Sequence, residues 1–68
     1  MDWRAEFLEH CKRSREMSLE MAEWLESGRA KFTHNDVDVT ADAAARHRRN
    51  AEEMDRLIPK IESDLRNA

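Results

Sequence analysis

Along the second half of the chain, Thr40, Ala44, His47, Ala51, Met54, Ile58, Ile61, Leu65 and Ala68 recur at alternating steps of four and three. That unbroken heptad spacing is the pattern of a helix laying one narrow stripe against another helix. The residues between them are mostly Arg, Glu, Asp and Asn, so the opposite face belongs in water. One Gly and one Pro in 68 residues leave few breaks, which suits long helices and argues against a strand-and-turn fold.

The first half supplies the other helix. Neither Gly nor Pro occurs before Gly28, and Phe7, Cys11, Ser14, Ser18, Met21, Leu25 and Gly28 form a second heptad stripe. Asp2 is placed to cap the helix, and Glu6 meets the positive end of its dipole. Gly28 suits the left-handed position that closes it. Residues 29–39 lose the periodicity. Thr33, His34, Asn35, Asp36 and Asp38 are turn and cap formers, with Phe32, Val37 and Val39 free to fold over the helix ends. Asp38 or Thr40 then caps the second helix. Acid-before-base pairs four apart, Glu9 with Arg13, Asp42 with Arg46, Glu52 with Arg56 and Glu62 with Arg66, support the wet faces. Pro59 removes one internal hydrogen bond, to the Asp55 carbonyl, and predicts a bend. A stop near Leu57 with a short third helix is the alternative.

The expected architecture is therefore a single all-α domain over 1–68: a helix at 2–27, a turn at 28–39 and a helix at 40–67 bent near Pro59. The chain doubles back near His34 into an antiparallel, coiled-coil-like hairpin. The predicted layers are Leu25 with Ala44, Met21 with His47, Ser18 with Ala51, Ser14 with Met54, Cys11 with Ile58 and Phe7 with Ile61. Such a hairpin has only one seam. Trp3, Met17, Met21 and Trp24 gather on one flank of the first helix, and Leu57 lies on the adjoining flank of the second. An exposed apolar patch of that size marks an interaction surface, and pairing two hairpins into a four-helix bundle would cover it. These five residues are the expected interface, with a second copy or with another protein. The small row Ser14, Ser18 and Ala22, opposite Ala51, reads as close helix approach rather than as a notch for a partner's side chain.

Little else in the chain carries chemistry. His10, His34, His47 and Cys11 show no metal-ligand spacing, no cofactor motif is present, and His47 and Cys11 fall on the seam. No phosphate loop or nucleophile elbow occurs, and Glu16, Glu20 and Glu23 lie on a wet face, so an enzyme is not expected. Arg46, Arg48 and Arg49 put three cations within four residues, which makes nucleic acid the alternative partner. They fan around the helix, however, with Asp42, Glu52 and Glu53 a turn away. A net charge of -3 does not suit general binding to nucleic acid or anionic membranes. A lone cysteine, no apolar run of membrane-spanning length and no signal-peptide order at the start make a reducing cytoplasm the expected setting.

Trp3-Arg4, Glu9-His10, Arg13, the run Leu25-Glu26-Ser27-Gly28, then Asp38, Thr40, Arg46, Met54-Asp55 and Leu57-Ile58 resemble a set of short bacterial helical-hairpin proteins of unassigned function. That resemblance implies the hairpin fold and no activity. The run Ala51-Glu52-Glu53-Met54-Asp55-Arg56-Leu57-Ile58 is also similar in rhythm to the Ser-Gln-x-Leu-Asp core of a family of short aspartyl-phosphate phosphatases. It keeps the acid at Asp55 but has Ala51 for the Ser and Glu52 for the Gln, which removes both polar groups of that core.

Overall fold

The computed structural model describes residues 2–67. It is an antiparallel pair of helices, α1 (Trp3–Glu26) and α2 (Thr40–Arg66), joined by a two-stranded ribbon, β1 (Thr33–His34) and β2 (Val37–Asp38). The rod measures 49 × 19 × 17 Å. Asp2 caps α1, its carboxylate accepting the Arg4 N–H at 3.0 Å and binding the Arg4 guanidinium as well. Those bonds, the side-chain one first, hold the Asp2 carboxyl below its ordinary range. Gly28 closes α1 at φ +82°, its N–H donating to the Leu25 carbonyl, while the Ala30 N–H returns to Trp24.

The link is more ordered than a bare turn. Thr33 pairs with Asp38 and His34 with Val37. The tip is Asn35-Asp36, with both φ angles positive, as a tight two-residue hairpin of primed type requires. The chain thus reverses immediately after His34, close to the expected place. Phe32 and Val37, expected to fold over the helix ends, remain exposed, Val37 on this ribbon and Phe32 just before it. Thr40 ties the ribbon to α2. Its hydroxyl accepts the Phe32 N–H at 3.0 Å and donates to Asp38, whose carboxylate also accepts the Thr40 N–H at 2.9 Å. The hydroxyl first, then the N–H, lowers the Asp38 carboxyl from its ordinary range.

α2 continues through Pro59, which lies on its exposed face. Its seam is as spaced: Ala44, Ala51 and Ile61 are buried and His47, Met54, Ile58 and Leu65 half-buried, while Ala68 lies outside the described residues. On α1 the seam is turned. Cys11, Ser18 and Leu25 face α2 as expected, with Leu8 and Ala22 in the seam in place of Phe7 and Met21, while Ser14 and Arg15 are half-buried at its two edges. Ala22 has no exposed surface, so the backbones approach where a methionine would hold them apart. Phe7 and Met21 are correspondingly exposed. Near the ribbon, Leu25 packs on Ala43 and Ala44, with Ala30 against them, which is the expected layer.

Asn50 brings an amide to the polar stretch of the seam. The Asn50 amide donates to Ser18 Oγ at 2.6 Å and Ser14 Oγ at 3.2 Å. The small-residue waist is therefore filled by α2 itself. A half-buried amide with fixed partners opposes slippage of the two helices. None of the expected acid-base pairs four apart is formed among the described residues. Instead Arg15 binds Asp55 and Arg48 binds Glu26, both between helices. Positions beside the seam reach the other helix, whereas fully wet pairs gain little for the rotamer freedom they lose.

Candidate functional site

The turn in α1 leaves a second stripe on that helix. Trp3, Phe7, His10, Ser14, Met17, Met21 and Trp24 recur at steps of four and three along its whole length. At 3.6 residues per turn this row lies roughly a quarter-turn from the seam facing α2. Trp3 and Met17 are each 69% exposed and Trp24 53%. The Trp3 ring lies 6.2 Å from Phe7, tilted at 44°, and Phe7 stacks on His10 at 6.5 Å. Aromatic contact thus runs unbroken over the first two turns. At the other end Met17, Met21, Trp24 and Glu20 frame a shallow cleft of about 220 Å³.

Of the expected interface, Met17, Met21 and Trp24 are brought together at this cleft, and Trp3 joins Phe7 and His10 at the opposite end. Leu57 is different: it is half-buried on α2 and takes no part in the stripe on α1. Phe7 and His10 are additions. Their signal was present in the chain as the same four-and-three spacing, overlapping that of the seam.

The charged groups that bridge the helices lie on the other face of the hairpin. The Arg48 guanidinium grips Glu26 with two bonds, at 2.6 and 3.2 Å. Their side-chain hydrogen bonding lowers the Glu26 carboxyl and raises the Arg48 guanidinium from their ordinary values. Of the three arginines considered for nucleic acid, Arg48 is thus engaged, while Arg46 and Arg49 are exposed. Arg46 borders an open cleft with Phe32, His34, Val39 and Asp42. A cleft of about 850 Å³ opens between the helices near the ribbon, and its charged lining is the Arg48–Glu26 pair and the Thr40-bound Asp38.

Cys11 is buried, and Glu16, Glu20 and Glu23 are exposed. Among the described residues no group of three or more His, Cys, Asp or Glu is placed to hold a metal ion. Nor, among them, is any helix long and apolar enough to cross a membrane.

Fold and surface together define an antiparallel helical hairpin with one uncommitted apolar face. No protein-family model, curated protein or solved structure matches the chain.

Proposed function

We propose that the protein is a non-enzymatic protein–protein interaction module whose working surface is the outer stripe of α1. A small regulator, inhibitor or phage-type accessory protein of a reducing bacterial cytoplasm fits this reading. Covering the stripe by a second hairpin gives a homodimeric four-helix bundle, and a heterologous helix seated on it is the other use of the same face. The supporting observation is the heptad row from Trp3 to Trp24, in which Trp3, Phe7, Met17, Met21 and Trp24 stay exposed and only Ser14 is engaged by α2, through Asn50. Five large apolar groups exposed along one helix face mark an interaction surface rather than ordinary surface scatter.

Nucleic acid is the weaker alternative because Arg48 is committed to Glu26 and only Arg46 and Arg49 of the three stand free of α1. The test is Met17→Glu, a substitution at an exposed position that leaves the seam intact. Sedimentation from low to high micromolar concentration, with affinity capture from native lysate, should show loss of assembly or of a captured partner. If the variant behaves as the parent in both, the stripe is not the working surface. Nucleic-acid binding that weakens steeply with salt, with a slope that Arg49→Ala reduces, would move the function to α2.

A further inference from the structure

Resting on that reading of the stripe, we infer that its occupant is a second copy of the same stripe, running antiparallel. The two-fold axis then crosses α1 midway between Ser14 and Met17. In an antiparallel coiled coil each layer sets a residue from one seam row against a residue from the other, and the outer stripe satisfies this rule with itself. Phe7 meets Trp24 of the second copy, His10 meets Met21, and Ser14 meets Met17. The outermost layer brings Trp3 over the turn at Gly28, where no side chain competes for the space. The small Ser14, its hydroxyl held by Asn50, leaves room for Met17 in the central layer, and the layers outside it pair aromatic, imidazole and thioether groups.

Charge selects the same arrangement. Arg13 and Glu20 border the stripe on one edge, seven residues apart, and both are exposed. Neither is in an ion pair among the described residues. Antiparallel pairing sets Arg13 beside Glu20 of the second copy, and the symmetry repeats that contact at the other end. In a parallel pair this edge would face the row already turned toward α2. The area also suffices. The exposed apolar side chains of the stripe amount to roughly 600 Å² per copy, taking 150–250 Å² for a whole aromatic side chain. Two copies therefore bury about 1,200 Å², the lower bound of a specific stable interface.

Charge exchange at the two exposed edge residues tests the arrangement without touching the fold. Arg13→Glu and Glu20→Arg should each weaken self-association roughly 3- to 10-fold, as expected for two rim contacts turned repulsive. The double variant should return to within about 2-fold of the parent, since the pair is restored with its signs exchanged. Failure of the double variant to recover overturns the arrangement.

Spin labels at Ala5→Cys, Glu16→Cys and Glu23→Cys, in a Cys11→Ala background, supply a second readout from positions that face away from the stripe. Antiparallel order gives the shortest distance between copies at residue 16. At residue 5 the two labels are displaced along the axis by about 30 Å, from the 1.5 Å rise per residue. Three equal distances would mean parallel pairing and would overturn the inference while leaving the stripe as the working surface. A chain that stays monomeric at high micromolar concentration also overturns it, and partner capture lost in Met17→Glu would then keep the broader proposal. That broader proposal fails separately, when Met17→Glu alters nothing.

Discussion

The two long faces of the hairpin differ in what holds them. On one, Arg15–Asp55 and Arg48–Glu26 bridge the helices, so that these four side chains find partners within the molecule. On the other, Trp3, Phe7, Met17, Met21 and Trp24 stand on α1 with much of their surface wet. Between the faces runs a core made largely of small residues, with Ala22, Ala43, Ala44 and Ala51 beside Cys11, Leu25 and Ile61. Alanine permits close helix approach but removes little apolar area from water. The chain therefore keeps its two Trp and the Phe7, Met17 and Met21 side chains of α1 out of its own core, and much of the hydrophobic energy they carry is available to association rather than to folding.

Adjacent residues give the sharpest way to break this comparison. Leu25→Ala empties the one large side chain in the cluster at the ribbon end and should cost about 2–4 kcal/mol. In urea unfolding that is enough to melt much of a domain this small. Trp24→Ala, one residue away, should leave monomer stability within about 0.5 kcal/mol and instead weaken self-association tenfold or more by sedimentation. Equal destabilisation by both variants would show that the stripe belongs to the core. Asn50→Ala should come next, at about 1–2 kcal/mol, because the buried Ser18 hydroxyl loses its partner. Gly28→Ala should cost about 1 kcal/mol, a pure backbone effect, since open space surrounds the position and φ is +82°.

The smallest effect appears on acidification, at the bridged face through Glu26 and at the two caps and ribbon through Asp2 and Asp38. Asp2, Glu26 and Asp38 are held below their ordinary values by hydrogen bonds present only in the folded chain. Their contribution is complete above the ordinary carboxylate range and is lost as pH falls through that range to the depressed values. The melting temperature should decline slightly over that window, and added salt should shrink the part due to Glu26. A melting temperature unchanged across the window would mean that these bonds do not form in solution.

Most of α2 was legible because its apolar residues occupy a single row, so periodicity alone identified the buried line. α1 carries two overlapping rows that share a flank, and spacing cannot say which of them faces α2. Size decided it: Ala22 and Leu8 allow the helices to approach, and Met21 and Phe7 do not. The hairpin tip was hidden because Asn35-Asp36 lacks the glycine that marks such a turn, although both residues tolerate the left-handed region. Asn50 looked like one more wet residue because nothing in α2 itself points to the serine pair across from it. The Trp3, Met17, Met21 and Trp24 positions were readable as a flank, but Leu57 was not separable from the seam residues around it.

Both indoles of the protein sit on the outer stripe and neither is in the core. Their fluorescence is consequently blind to collapse of the hairpin and sensitive to whatever comes to lie on α1. Unfolding an isolated chain should shift the emission maximum little, whereas dilution of an assembled sample should move it to the red. Two probes that usually report the same event would here report different ones, helical circular dichroism following the fold and tryptophan emission following the company it keeps.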